Sequence, residues 1–484
     1  LRTGGSWTKR PFTRSWDGAV NLSGAWAINQ RTELRLGYTA FRQHDTPRAD
    51  RSTLRDFTLL RDRLRDTLAV HLSRKSDTAW LRQLVATISF HNQRQLAERL
   101  RLDADSLTRE RDGVSSVGAR VFGKSNLPHN EITYGTDFSY DMVTSTAEDE
   151  RISEPLRTPR SRGHHLDGST LGQVGFFAHD QLLLLDKRLA ITLGGRLTTW
   201  WTRLPADPSG SPAFDKNTLG ATGHLQVRYL VGDGLNLHAG LTRGFAPPNI
   251  DDYTARGCGD QGFELPPSSL GNEKSLGAEA GAKLDLFGNL TGRFAYFFTY
   301  LDEPIVRRRV PGGALLSCGG ALVPLVRRSN APSATIHGVE GQLHLSLNAH
   351  FSLFTWLAWT RGTVNLDAGA TEPLSRTPPL NGLVGVRYQR GDDLFLELIV
   401  RWATHQDRLS DLDRADQRIC PQGAAACRGT DGYTILRLRG GIKLAKPLSL
   451  TFAINNLTNQ AYRSHGSGVD AAAFDARLGL ELAL

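Results

Sequence analysis

The residues Leu394–Trp402, LFLELIVRW, alternate in a way that decides the fold. One face would carry Leu394, Leu396, Leu398, Val400 and Trp402, and the other Glu397 and Arg401. A period of two is that of a β-strand, because its successive side chains point to opposite faces. The stretch therefore predicts a strand with one apolar face and one partly charged face.

The same alternation recurs along the chain, in about nineteen segments of roughly 10–15 residues. Further examples are residues 235–241, 290–300, 343–347, 433–444 and 448–455, and the chain end Leu478–Leu484. Helical periodicity competes seriously only over Leu54–Leu72, where we also favour a strand. The sequence thus predicts an all-β protein.

The connections between the segments alternate between short and long. Short connections are 186–187, 231–234, 287–289, 348–350, 390–393 and 445–447, and long ones are 147–168, 204–216, 245–271, 304–333, 365–376, 406–431 and 461–473. Short turns at one end and long loops at the other are typical of transmembrane antiparallel β-barrels. A soluble sandwich or propeller also has alternating strands, but it is not expected to sort its loops in this way.

The composition agrees with strands that are only half apolar. The 484 residues are 39% hydrophobic and 22% charged, which excludes general disorder. The longest charge-free stretch, 310–326, contains two Pro and four Gly and is not expected to form a spanning helix. Because bases alternate with acids along the chain, the net charge of +9 is too diffuse to indicate nucleic acid as a partner.

No catalytic motif stands out, since the chain lacks a G-x-S-x-G elbow, H-E-x-x-H, a P-loop and G-x-G-x-x-G. The carboxylate pairs Asp251–Asp252 and Asp392–Asp393 fall in loops or turns. We interpret them as turn formers and solvated charge. The sequence predicts no enzyme, no cofactor and no resident metal centre.

The four cysteines all fall in long loops. Cys420 and Cys427 lie in one loop, whereas Cys258 and Cys318 lie in two successive long loops that can meet over the barrel mouth. An even number of loop cysteines in an envelope protein favours disulfides, and the spacings suit no zinc finger. We predict the pairs Cys420–Cys427 and Cys258–Cys318.

Two loops carry histidines suited to bind a ligand. His164 and His165 lie in SRGHHLDGS, and His465 lies in YRSHGSGVD. Neutral imidazole is a ligand for haem iron or another transition metal. The alternative is that all three are solvated or loop-structuring residues.

Arginines bracket the loop 310–326. They are Arg307, Arg308, Arg309, Arg327 and Arg328. Guanidinium groups bind carboxylates and phosphates in a bidentate manner, so this loop suits an anionic ferric chelate or lipopolysaccharide phosphates. The alternative is ordinary positive charge at strand ends. The tryptophans Trp200, Trp201, Trp356, Trp359 and Trp402 are interpreted as an interfacial girdle.

Five stretches, in order, resemble the barrel domain of TonB-dependent outer-membrane receptors. They are 242–255 (TRGFAPPNIDDYTA), 270–283 (LGNEKSLGAEAGAK), 329–340 (SNAPSATIHGVE), 374–382 (LSRTPPLNG) and 452–462 (FAINNLTNQAY). Two features depart from the family: Ala246 and Pro247 replace Arg and Ala of a Phe-Arg-Ala-Pro motif, and Leu484 stands where an aromatic is usual. The resemblance implies a barrel over 1–484 in the bacterial outer membrane, with about nineteen strands visible of an expected 22.

The resemblance also implies active import of a scarce ligand, with a siderophore or haem iron chelate favoured. Expected partners are a plug domain, the TonB energy-transducing complex, outer-membrane lipid and lipopolysaccharide, and the small-molecule ligand. We expect the plug and the first strands to precede Leu1 in a longer protein, or to come from another polypeptide in a split receptor. The alternative functions are a plug-less passive porin, a structural barrel scaffolding a surface complex, and a soluble all-β binding or glycan-degrading protein.

Overall fold

The structure, a computed structural model, describes residues 2–3, 6–7, 14–50, 52, 55–208, 210, 212–259, 261–318 and 321–482. Its main sheet has 21 strands, of which Arg157–Pro159 and Thr371–Pro373 are three-residue loop strands, leaving nineteen. These are β1 (Trp16–Asn29), β2 (Thr32–Pro47), β3 (Asp56–Lys75), β4 (Gln83–Arg101), β5 (Ser106–Asn126), β6 (Asn130–Arg151), β7 (Thr170–Leu184), β8 (Leu189–Leu204), β9 (Phe214–Leu230), β10 (Leu235–Ala246), β11 (Glu273–Leu286), β12 (Leu290–Asp302), β13 (Ser333–Ser346), β14 (Phe351–Asn365), β15 (Asn381–Arg390), β16 (Leu394–Ala403), β17 (Tyr433–Ala445), β18 (Leu448–Asn455) and β19 (Asp475–Leu482).

Each strand from β1 to β18 pairs antiparallel with the next strand along the chain. Short turns join the strands at one end of the sheet, such as 287–289, while loops as long as 303–332 join them at the other. The prediction of a transmembrane antiparallel β-barrel is confirmed. The long loops therefore all emerge at one rim, which is where a loop-built site must lie.

The remaining elements are short and lie in turns and loops. The strands among them are Arg2–Thr3, Ser6–Trp7, Gly257–Cys258, Phe263–Leu265, Ile305–Arg309, Leu316–Cys318, Ala321–Val323 and Leu325–Asn330. The helices are Ile250–Thr254 and Asp411–Ala415, with 3-10 turns at Ala79–Leu81, Leu102–Ala104, Asp367–Gly369 and Ala424–Ala426. No helix in the described part of the chain is both long enough and apolar enough to cross a membrane.

The two faces of the barrel wall have different chemistry. In β19, Leu478, Leu480 and Leu482 are 76%, 69% and 58% exposed, as outward side chains in contact with lipid would be. On the inner face, Arg196 of β8 donates to Asp137 of β6 at 2.6 and 2.7 Å. Low overall hydrophobicity thus follows from strands that carry lipid-facing apolar residues on one side only.

The interpretation of five tryptophans as a lipid-facing girdle is wrong for two of them. Trp201 and Trp359 lie on the outer face, whereas Trp200 and Trp356 lie on the inner face, where Trp356 lines a recess of the barrel wall. The reason is the strand period itself. Neighbours in a strand, such as Trp200 and Trp201, point to opposite faces.

The ambiguous segment 54–72 is a strand as predicted, β3, although Leu54 lies outside the described residues, as does the terminal Leu484. A bulge shifts the pairing of β3 with β4 between Leu60 and Asp62. An extra residue in one strand interrupts the period of two. The bulge therefore explains why the leucines here did not alternate cleanly.

Candidate functional site

Three long loops pack together at the rim: 152–169, 247–272 and 303–332. The strand Phe263–Leu265 pairs with Leu325–Asn330, which in turn pairs with Ile305–Arg309, so the second and third loops form one small sheet. A disulfide between Cys258 and Cys318, with Cα atoms 5.6 Å apart, joins the same two loops. The first loop is attached through the Arg256 N–H, which donates to the His164 carbonyl at 3.3 Å.

A network of charged side chains lies where these loops meet. We call Arg162, His164, His165, Asp251, Asp252, Glu264 and Arg328 the rim cluster. Arg328 is 7% exposed and donates to Glu264 Oε1, Asp252 Oδ1 and Asp251 Oδ2, each at 2.6 Å. A buried charge is tolerated only when it is paired and hydrogen-bonded, and the guanidinium fork meets three carboxylates at once.

Two groups of the rim cluster, Arg328 and Asp251, have pKa values that depart from their ordinary values. Burial opposes ionisation of Arg328, but the hydrogen bond with Asp251 and the charge of Glu264 raise the pKa of the guanidinium above its ordinary value. Burial likewise opposes ionisation of Asp251, but the hydrogen bond from Arg328 keeps the pKa of this carboxyl below its ordinary value. Arg328 and Asp251 are therefore both charged at neutral pH.

A helix start places the two aspartates. Asn249 is the N-cap of Ile250–Thr254: its side chain accepts from the Asp252 N–H at 3.0 Å, while Asp252 accepts from the Asn249 N–H at 2.9 Å. This capping box orients Asp251 and Asp252 toward Arg328. Both carboxylates also accept from Arg328, which their interpretation as turn formers and solvated charge did not include; the Asp251 side chain is 45% exposed and that of Asp252 is 17% exposed. The Asn-x-x-Asp spacing of Asn249 and Asp252 is the sequence pattern that could have predicted this helix start.

The two loop histidines lie beside Asp251. The rings of His164 and His165 are 4.7 Å apart and nearly perpendicular, and the His165 N–H donates to Ser145 Oγ at 3.1 Å. Gly163 permits this approach, because a Cβ there would lie 2.2 Å from Ser145 Oγ. Burial, with the neighbouring His164, lowers the pKa of His165, so its imidazole is neutral at pH 7.

Four of the five predicted arginines are in ion pairs. Arg307 pairs with Glu264 at 3.1 Å, and Arg309 pairs with Asp411 at 3.3 Å. Arg308 pairs with Asp367, and Arg328 pairs with the three carboxylates named above. Arg327 has no ion pair within the described ranges. The sequence indicated the basic residues but not their acidic partners, which come from other loops.

Arg308 and Arg327 nevertheless keep unpartnered donors. They are cross-strand partners in the small sheet, so their guanidinium groups share one face. Nε and Nη2 of Arg308 and Nε of Arg327 are buried and have no hydrogen-bond partner among the described residues. The ion-pair partner of Arg308, Asp367, is 75% exposed. Two cations with three unused donors form a place suited to an anion.

His465 belongs to a second loop cluster, formed by 366–380, 404–432 and 456–474. Its Nδ1 lies 2.9 Å from Thr430 Oγ1, and burial lowers its pKa. The loop 404–432 also contains the disulfide Cys420–Cys427, with Cα atoms 5.1 Å apart. The predicted histidines are therefore divided between two clusters. Only His164 and His165 are brought together.

Comparison with known families decides what this barrel is. A family model described as TonB dependent receptor-like, beta-barrel, matches residues 2–457. The chain belongs to the TonB-dependent receptor family. Its barrel is accordingly a bacterial outer-membrane protein, and as a TonB-dependent receptor it is a transporter and not an enzyme.

Solved TonB-dependent receptors have the same fold. The chain is similar to the copper transporter OprC (TM-score 0.78, 14% identity, 97% of this chain and 71% of that chain covered). It is also similar to the Serratia marcescens hemophore receptor HasR, solved with its hemophore HasA and heme (TM-score 0.71, 18% identity, 96% of this chain and 71% of that chain covered). A third similar structure is the E. coli K12 ferric-catecholate import receptor Fiu (TM-score 0.68, 14% identity, 98% of this chain and 75% of that chain covered). At these identities the likeness shows the fold alone. No curated protein matches the chain.

TonB-dependent receptors bind ligands and work with TonB and a plug domain. Contact with outer-membrane lipid and lipopolysaccharide, and the assignment of 1–484 to one barrel domain preceded by a plug, stay predictions. So does the assignment of ligand-binding roles to the loop arginines and histidines.

Proposed function

We propose that this TonB-dependent receptor imports an anionic ferric chelate, a siderophore complex or haem, which its rim loops bind before TonB-driven passage past a plug. The observation that carries the proposal is the pair Arg308 and Arg327, with its three unpartnered buried guanidinium nitrogens. A buried donor without a partner costs about 1–3 kcal/mol, and an anionic ligand removes that cost. Charged oxygens of a carboxylate or catecholate chelate fit such donors in a bidentate manner.

The surroundings of the pair support a ligand of this kind. Arg308 and Arg327 belong to the small loop sheet, which the Cys258–Cys318 disulfide holds in place at the open end of the barrel. A rigid site on paired strands loses little entropy when the ligand binds. Similar solved receptors include a hemophore receptor and a ferric-catecholate import receptor, which agrees with a chelated iron cargo.

Binding to the purified receptor tests the proposal. Hemin, a ferric catecholate and ferric citrate are titrated while tryptophan fluorescence is followed, with the wild type and with the double variant R308Q/R327Q. We expect one of these anionic chelates to bind, and the double variant to weaken its binding at least tenfold, since a hydrogen bond to a charged group contributes about 1.5–3 kcal/mol.

The matched control is Arg203→Gln. Arg203 pairs with Asp215 on β9, and both side chains are largely exposed, at 74% and 69%. This variant removes an arginine without touching the loop sheet, so chelate binding is expected to stay at the wild-type level. Equal binding by wild type and R308Q/R327Q, or no binding of any of the three chelates, overturns the proposal. Unchanged iron uptake by a gene deletion under iron limitation does the same in cells.

A further inference from the structure

The rim cluster brings together three side chains that bind transition metals. A nitrogen of His164, a nitrogen of His165 and a carboxylate oxygen of Asp251 all lie within 4.8 Å of one another. These are the only three histidine, cysteine or acidic residues so grouped in the part of the chain that the structure describes. We propose that His164, His165 and Asp251 form a binding site for a divalent transition cation such as Zn²⁺ or Cu²⁺.

The first support is the state of His165. Its Nδ1 is buried and has no hydrogen-bond partner among the described residues, although Asp251 Oδ1 is 3.7 Å away. That distance is too long for a hydrogen bond. The separation suits two ligands of one cation. Metal–ligand distances are about 2.0–2.2 Å, so two atoms that bind the same ion can lie up to about 4.3 Å apart.

The second support is the way Arg328 holds Asp251. Arg328 binds Oδ2 at 2.6 Å, so the other oxygen, Oδ1, is the one turned to His165. Outer hydrogen bonds of this type orient a metal-binding carboxylate and are a regular part of metal sites. Arg328 is thus a positioning residue, and its charge is balanced by Asp252 and Glu264 rather than by Asp251 alone.

The ligand types narrow the class of cation. Two imidazoles with one carboxylate suit Zn²⁺, Cu²⁺, Ni²⁺ or Fe²⁺, whereas Ca²⁺ and Mg²⁺ prefer oxygen ligands throughout. Three protein ligands leave at least one coordination position open for water or an external ligand. A cation here also joins the loops 152–169 and 247–272, since the histidines come from the first and Asp251 from the second.

This site is distinct from the Arg308–Arg327 pair and goes beyond the proposed function. The sequence indicated the two histidines as possible metal ligands but not Asp251, which is far from them along the chain and looked like a turn residue. The two hypotheses use different residues and opposite ligand charge. Each can therefore fail without the other.

The test titrates Co²⁺ alone into the detergent-solubilised receptor, with visible absorption reporting imidazole coordination, followed by displacement with Zn²⁺. We expect one Co²⁺ per chain, with affinity reduced at least tenfold in H164Q, H165Q and D251N. His164→Gln is the decisive variant, because the side-chain hydrogen bonds of Arg328 go to Glu264, Asp252 and Asp251 and the substitution leaves them in place.

The control is His350→Ala, in the short turn between β13 and β14 at the opposite end of the barrel, which is expected to bind Co²⁺ like the wild type. Absence of Co²⁺ binding by the wild type, or binding that H164Q and H165Q leave unchanged, overturns the metal site. Chelate binding measured on the same preparations shows whether the proposed function survives that outcome.

Discussion

Nε of Arg328 donates to Oε1 of Glu264 at 2.6 Å, and the two side chains are only 7% and 8% exposed. The pair joins the third long loop to the second at the rim. Because both charges are removed from water, the remaining partner has no alternative solvation when one is deleted.

Replacing Arg328 with Leu is therefore expected to destabilise the packed loops by about 3–5 kcal/mol. Hydrogen exchange followed by mass spectrometry should show at least a hundredfold faster exchange in peptides from 247–272 and 303–332. The exposed pair Arg203–Asp215 supplies the control, since an exposed pair contributes about 0–1 kcal/mol and R203L should leave exchange nearly unchanged. Equal exchange in R328L and wild type would contradict the stabilisation of the loops by the ion pairs of Arg328.

The two disulfides are expected to differ in their contribution to loop stability. Cys258 and Cys318 are 60 residues apart and Cys420 and Cys427 are 7 apart. Because a longer closed loop loses more entropy in the unfolded state, the first bond should stabilise by about 4 kcal/mol and the second by about 2–3 kcal/mol. Limited proteolysis should cleave the C258S/C318S receptor faster than C420S/C427S. Labelling of all four thiols in the native protein would contradict both bonds.

Acid should loosen the loops around His165. Burial and His164 lower its folded pKa below the ordinary 6.5, while Asp112 and Asp251 oppose that shift. The unfolded histidine therefore binds a proton first, so stability present above pH 6.5 is lost as the pH falls below it. Exchange in peptides from 160–169, corrected for intrinsic rates, should rise on going from about pH 7.5 to about pH 5. H165Q should abolish most of that rise. A rise of equal size in H165Q would show that a group other than His165 takes up the proton.

An arginine on the lipid face of β16 should destabilise the barrel. Leu398 is 46% exposed and stands midway between Leu394 and Trp402 along the outward series. An arginine near the bilayer midplane costs about 2–4 kcal/mol, so L398R should refold into lipid vesicles with a lower yield and a lower unfolding temperature. T451R, on the inner face of β18, is the control and should refold like the wild type. Equal loss in both variants would contradict the assignment of faces.

The strands were predictable from the sequence because their signal is local. In β16, Leu396 and Leu398 are exposed on the outer face while Glu397, between them, is 2% exposed and pairs with Arg387 at 3.0 Å. Each face is determined by the period of two within a few residues. The period also places adjacent residues on opposite faces, as it does Trp200 and Trp201, so residues of one type that are neighbours in a strand do not share a face.

The site was less predictable because its contacts are long-range. Arg328 binds Asp251 across 77 positions of the chain, and no local pattern links the two. The sequence identified His164, His165 and the arginines by residue type. It did not identify Asp251, whose role depends on a helix cap and on two other loops. Loop sites of this kind are formed by packing, which a periodic pattern does not encode.

The bond between Cys258 and Cys318 also restricts the compartment in which the rim loops can be completed. A disulfide between two loops forms only in an oxidising compartment, so the rim cannot mature in the cytosol. The nineteen wall strands contain no cysteine, so both disulfides constrain the loops and not the wall. We expect a cell with impaired periplasmic thiol oxidation to display receptors whose rim loops are not cross-linked, and in which chelate binding at the proposed Arg308–Arg327 site is weakened.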